Sequence, residues 1–436
     1  MAYRRAMMNQ GIYNRVIEEL DRIPIIDVHS HLDIARPQAN DIGDILFYHF
    51  LRREFSSAGG DDGFLVSDRP LEERMAYYLK YLHLIKGTST YWCVKKILRD
   101  LYGLDEDLNE SNWRDVNGQI MGTRDDSSWP EALLTKRLGI QKCYCCINDV
   151  GDRQNEVIIR RPFLLPHLEA FSFGPNYIES LMAFVGKDDA LPEDLGSALG
   201  KFDKLITSNL RRGIRSFGSA IDEDLVIIPA EDEKAEQIYR DLYHSKEISV
   251  LDKNILVTKF LYRFLETIEG KGVAQWYLGA VWKYGGRKGS YDYGESYIRV
   301  KHELIPNMIG IFKEFTGVNF SLMYCSESMS QELTIVARML HNVTLLGFWW
   351  HNLFPSYMGK IISERIEALP ANKWILVGTD AYCCEWSYGK VSLVKRCLAK
   401  VLARKIEEEY LTMNEAKSLA RRILYENARE IYSPDT

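Results

Sequence analysis

Long apolar runs are missing from this chain. No stretch approaches the roughly 18 residues that a bilayer-spanning helix requires, which predicts no membrane association. An excess of positive charge is missing too. The 55 lysines and arginines are outnumbered by 61 acidic residues, for a net charge of −6. General nucleic-acid binders carry a basic balance, so that class is set aside. Cysteine is sparse: Cys93, Cys143, Cys145, Cys146, Cys325, Cys383, Cys384 and Cys397 are the whole set. Several lie in apolar, strand-like runs, which suits buried thiols in a reducing compartment better than a disulfide framework. The opening MAYRRAMMNQGIYNRVIEEL has basic residues but no apolar core or small-residue cleavage site. It predicts no secretory leader and a cytoplasmic protein. There is no internal repeat, low-complexity segment or long linker. What remains is an ordinary globular composition, 46% hydrophobic and 27% charged, spread over 436 residues. That exceeds a typical domain but lies within reach of one α/β barrel with insertions.

The patterning supports a single barrel domain over 1–436. Strand-like runs fall at 25–30, 139–147, 163–173, 214–221, 273–282, 319–325, 342–350 and 373–380. Most follow a helical stretch that ends in a turn residue. Eight short apolar strands separated by helices predict a (β/α)8 barrel of TIM type. Residues 41–137 carry helical patterns and no strand, and are read as a helical insertion after strand one, at the barrel's C-terminal mouth. Residues 5–22 predict a helix leading into strand one, and two amphipathic helices close the chain.

The chemistry-bearing residues cluster at strand ends. His29 and His31 finish the run IPIIDVHSHL, and strand alternation points them the same way. Two imidazoles on one face can grip a divalent metal that a distant carboxylate completes. Asp380 ends WILVGTD. The bland reading is a helix N-cap. In a closed barrel, however, strand eight adjoins strand one and brings Asp380 to the histidines as ligand, proton carrier or both. Tyr48 and His49, at the start of the insertion, either pack under the mouth or fold over the metal onto substrate. His167 and Glu169 alternate along FLLPHLEAF and either bind a polar ligand or form a satisfied structural pair. Trp349 and Trp350 are core aromatics or a wall against a sugar face. Arg36, just past the HxH, is a solvated loop residue or an anion ligand.

These pieces in order, DVHSHL at 27–32, DIGDILFYHFLRREF at 41–55, SQELTIVARMLHNVTLLGFWWHN at 330–352, VGTD at 377–380 and ILYENAREIY at 423–432, resemble the uronate (glucuronate) isomerase family of the amidohydrolase superfamily. The resemblance spans nearly the whole chain. It implies a metal-dependent aldose–ketose interconversion of a uronate or related sugar acid, with a proton moved between C2 and C1. It implies that His29, His31 and Asp380 hold one divalent metal, zinc above others. Asp380 or a metal-bound hydroxide would serve as base, with His49 and the Trp349–Trp350 strand lining the substrate. The expected partner is a small sugar acid, and a homo-oligomer is compatible with the composition.

Two positions depart from the family pattern. Tyr382 stands where the family has an arginine after the strand-eight Asp, and His167 stands where it has another, while Glu169 keeps an acidic residue. Both lost arginines are natural carboxylate partners, worth roughly 1.5–3 kcal/mol each as charge-assisted hydrogen bonds. The departures predict an altered substrate, slow turnover of glucuronate and galacturonate, and a compensating cation such as Arg36. The alternative reading is a metal-dependent hydrolase of a lactone, ester or amide, with Asp380 as proton shuttle. A third is a sugar-binding protein without activity, against which the intact metal triad argues.

Overall fold

β1 (Ile25–Ser30) is buried along its whole length, as strands of a parallel sheet covered on both faces are. A computed structural model describes residues 9–147, 163–187, 190–281 and 297–433. In it β1 starts a curled, all-parallel sheet that continues through β2 (Ile140–Ile147), β3 (Leu164–Leu168), β4 (Ser216–Ala220) and β5 (Val273–Leu278). A two-stranded antiparallel pair, β6 (Ala280–Val281) and β7 (Tyr297–Ile298), intervenes. The sheet then resumes with β8 (Asn319–Tyr324) and β9 (Val343–Leu345), for seven strands in the order β1-β2-β3-β4-β5-β8-β9. Helices separate most of the parallel strands, the usual connection between parallel neighbours.

The last expected strand, 373–380, is not a regular strand, although it lies where one is needed. Ile375 N–H donates to Leu345 O on β9 at 2.9 Å, and Val28 N–H on β1 donates to Val377 O at 3.2 Å. Asp380 N–H donates to His29 O and His31 N–H to Ala381 O, each at 2.8 Å. The segment therefore bonds to both free edges of the curled sheet. Two local features keep it irregular. A side chain at Gly347 would sit 1.9 Å from Leu376 O, so the chains approach more closely there than a ladder spacing allows. Asp380 itself has φ of 52°, outside the β region.

Several expected strands are shorter than their apolar runs. The run 163–173 pairs only over Leu164–Leu168, with one further bridge at Phe173, and 342–350 pairs only over Val343–Leu345. The expected first helix is α1 (Gln10–Asp21), capped by the Asn9 side chain, which accepts from Gly11 and Ile12 N–H. Between β1 and β2 the chain is helical: α2 (Ile42–Leu46), α3 (His49–Ser57), α4 (Asp62–Leu65), α5 (Leu71–Ile85), α6 (Ser89–Tyr102), α7 (Trp113–Arg124) and a π-helical turn Glu131–Arg137. α6 buries Tyr91, Val94, Ile97, Leu98 and Tyr102, one stripe at helical spacing, and stops at Gly103 with φ of 67°. The 24-residue helix Cys384–Glu407 packs against α1 and α6 and carries one lysine, Lys390, to the mouth of the sheet. No described helix is long and apolar enough to cross a membrane.

Candidate metal centre

The irregular turn at Asp380 is what builds the site. Its left-handed backbone is held at three points. Its N–H is bonded to β1, and its carbonyl accepts from Tyr48 Oη at 2.7 Å and from Lys390 Nζ at 3.0 Å. A strained residue persists where its surroundings over-determine it. So clamped, the carboxylate meets both histidines: Oδ1 lies 3.4 Å from His29 Nε2 and 3.2 Å from His31 Nε2. The two imidazoles are edge-to-face with centroids 5.1 Å apart. The three donor atoms lie within 4.8 Å of one another.

His29 is prepared as a ligand. Gln275 spends its side-chain N–H groups on Val28 O at 3.0 Å and Tyr432 Oη at 2.8 Å. Its oxygen, 3.0 Å from His29 Nδ1, must then accept from an Nδ1–H. With Tyr277 Oη spending its proton on the same Gln275 oxygen at 3.1 Å and lying 3.2 Å from Nδ1, the proton is assigned to Nδ1, which leaves Nε2 as the bare nitrogen, aimed at Asp380 and His31. Nε2 is buried and has no directed hydrogen bond. An orphaned imidazole nitrogen facing a second imidazole and a carboxylate is a donor set that fits a divalent metal such as zinc.

Electrostatics keep the carboxylate charged. Burial works to raise the Asp380 carboxyl, but Lys390, helped by His31, outweighs it and holds it well below the usual carboxylate range. Burial opposes charge on His31, yet Asp380 raises that ring above its ordinary value. Lys390 is buried and 3.8 Å from Asp380 Oδ2; burial lowers its ammonium while Asp380 pulls the other way. Beneath, buried Asp27 ties β1 to the irregular segment by accepting from Thr379 N–H and Oγ1. Burial raises its carboxyl, against those bonds.

The other sequence-derived residues fall into two groups, with Glu169 and Trp350 besides. Tyr382, His49 and Tyr48 form a chain of aromatic rings leading from His31. Tyr382 stacks on His31 at 5.0 Å, His49 lies 5.1 Å from Tyr382, and Tyr48 lies 4.2 Å from His49. Burial pushes His49 down to about 3, so its ring is neutral at pH 7. These three residues and Arg36 line one cleft of about 560 Å³. Arg36 also sits 3.4 Å from Asp125. The second group is turned inward. His167 is fully buried, with Nδ1 2.6 Å from Ser216 Oγ and Nε2 2.9 Å from Tyr277 Oη, and Trp349 is buried 5.2 Å from the Tyr277 ring. A side chain at Gly218 would strike both Tyr277 Oη and His167 Nε2, so glycine makes room for that bond. Glu169, half-buried, lies close to His31 and Cys146. The side chain of Trp350 lies outside the described residues.

Sequence reasoning missed Lys390, Gln275 and Tyr277. Gln275 and Tyr277 left a usable signal, two polar groups at alternate positions of an otherwise apolar strand. Lys390 left none, since a lysine on a long amphipathic helix reads as a solvated one.

A curled parallel sheet with paired histidines at the end of its first strand and a carboxylate at the far end of the chain defines the class, an α/β protein with a candidate metal centre at its mouth. No protein-family model and no curated protein matches the chain. Solved structures do match it in fold. Uronate isomerase from Thermotoga maritima aligns with TM-score 0.83 at 16% identity, over 97% of each chain. Glucuronate isomerase from Caulobacter crescentus aligns with TM-score 0.84 at 16% identity, over 99% of this chain and 96% of that one. A Bacillus halodurans uronate isomerase aligns with TM-score 0.74 at 16% identity, over 97% and 96%. The fold is thus the one seen in uronate isomerases.

Proposed function

We propose that this protein is a metal-dependent aldose–ketose isomerase of a uronate or related sugar acid, built as one closed (β/α)8 barrel whose residues 41–137 form a helical insertion over the mouth. The observation that carries the reading is the convergence of His29 Nε2, His31 Nε2 and Asp380 Oδ1 on one point, within a fold shared with uronate isomerases. His29, His31 and Asp380 would hold the metal, with zinc suited to the two-nitrogen, one-oxygen set. Bound there, a divalent cation supplies Lewis acidity toward the sugar's carbonyl oxygen.

The chain's own residues supply the rest. Asp380 is the proton carrier between C2 and C1; Lys390 and the Tyr48 hydroxyl fix its backbone, so its carboxylate needs no reorganisation as charge develops. Neutral His49 serves as a hydrogen-bonding partner to a substrate hydroxyl, with Tyr48 and Tyr382 as an apolar wall that excludes water. Arg36, in the same cleft, supplies a cation for the substrate carboxylate. His167, Glu169 and Trp349 support the far side of the pocket.

Purified protein loaded with zinc and offered a panel of uronates and lactones tests this. Formation of a ketose at unchanged mass is the expected result. Addition of one water to a lactone, ester or amide with no ketose from any sugar acid would favour the hydrolase alternative.

A further inference from the structure

The strand next to the histidine pair ends in a thiol. Cys146, near the end of β2, has its Sγ 3.5 Å from His29 Nδ1. Across the ladder it pairs with His167, and two residues on, Glu169 N–H donates to Ile147 O at 3.0 Å. That bond sets Glu169 beside the end of β2. The ligand atoms of His31, Cys146 and Glu169 all lie within 4.8 Å of one another. Three consecutive strand ends, β1, β2 and β3, therefore present an imidazole, a thiol and a carboxylate to one point. All three groups are half-buried, so the position is open to the mouth rather than sealed in the core. It is a different set from His29, His31 and Asp380 and shares only His31 with it.

We propose that His31, Cys146 and Glu169 form an alternative, thiolate-containing metal position beside the first, filled in exchange for it because the two sets share the single His31 ligand nitrogen. This rests on the reading that the His29–His31 pair holds a metal at all. On binding, the Cys146 thiol loses its proton to solvent as the sulfur–metal bond forms. A nitrogen, sulfur and oxygen set selects a borderline-soft divalent ion such as zinc and discriminates against magnesium, calcium and manganese. The position gives the mouth a metal preference that His29, His31 and Asp380 alone would not impose, and makes Cys146 the thiol whose reactivity depends on metal.

Cobalt(II) is the probe. Apoprotein titrated with Co2+ is expected to develop a near-ultraviolet thiolate-to-cobalt charge-transfer band. Cys146→Ser and Cys146→Ala, checked for native fold by circular dichroism, should lose that band while still binding cobalt through His29, His31 and Asp380. Glu169→Gln should need more cobalt to reach the same band. Cobalt bound to the native protein without a thiolate band would overturn the alternative position and leave the first intact. A band unchanged in both Cys146 variants would overturn it equally, since another cysteine would be responsible. Failure of the native protein to bind cobalt would overturn both positions together.

Discussion

Replacing Lys390 with methionine isolates the electrostatic support of the Asp380 turn. Lys390 is buried, bonds the Asp380 carbonyl at 3.0 Å and lies 3.8 Å from its carboxylate. At an effective dielectric of about 20, opposite unit charges at that separation attract by about 4 kcal/mol. The bond from a charged donor to the carbonyl adds roughly 1.5–3 kcal/mol. Against this, methionine removes the cost of burying the ammonium. Breaking a buried ion pair by deleting one partner leaves an uncompensated charge, and the net loss is typically about 3–5 kcal/mol. That figure should apply to the chelator-treated protein. With zinc bound, a second cation faces the same carboxylate, so the loss should shrink. Urea unfolding of native and Lys390→Met proteins, in chelator and in saturating zinc, measures both numbers. A loss below about 1 kcal/mol in chelator would refute the argument that Lys390 balances Asp380. So would a loss of the same size with and without zinc.

Three further outcomes follow from the same geometry. Gln275→Leu removes the amide oxygen that accepts from His29 Nδ1–H and leaves Tyr277 Oη at 3.2 Å as a substitute partner, and metal affinity should fall about 10–100-fold in competition with a chromophoric chelator; an unchanged affinity would mean the tautomer is set elsewhere. His49→Asn should fold normally, by circular dichroism and thermal melting, and lose most sugar-acid turnover, whereas full turnover would reduce His49 to a packing residue between Tyr48 and Tyr382. Asp100, away from the site, works against burial but is held down to about 2 by Lys96, Tyr388 and Arg99. Its folded value lies below the unfolded one, so its stabilisation is present above about pH 4 and is lost as pH falls toward 2. After a discount for solvent screening, Asp100→Asn should cost about 1 kcal/mol at pH 7. Calorimetric melting temperatures of the two proteins should converge as pH falls from about 4 to about 2, and a gap undiminished at pH 2 would contradict the assignment.

Much of this arrangement is legible in the sequence because it is periodic or terminal. His29 and His31 end an apolar run, and period-2 alternation alone brings their rings together. Asp380 is found by closing the ring of strands, a topological inference that needs no coordinates. The helices of 41–137 announce themselves by their 3.6-residue stripes, as in α6. What is illegible depends on contacts between distant segments. Lys390 sits in helical sequence that would serve equally well with the side chain in water. WILVGTD reads as a strand, yet the close approach of Leu376 to Gly347 and the left-handed Asp380 make it irregular while its hydrogen bonds remain. FLLPHLEAF reads as an alternating strand that sends His167 and Glu169 to one face, but the strand ends at Leu168. Within it His167 is locked to Ser216 and Tyr277, and beyond it Glu169 lies with His31, the ligand atoms of both near Cys146. Cys146 reads as one more buried thiol until β2 is seen to end beside the histidines.

The most direct test is a crystal of the zinc-loaded protein measured at the zinc absorption edge. The account predicts an anomalous peak bonded to His29 Nε2, His31 Nε2 and an Asp380 carboxylate oxygen, at roughly 2.0–2.2 Å from each. Strong zinc peaks in the crystal with none in bonding range of His29, or an Asp380 carboxylate turned away from both histidines, would contradict it.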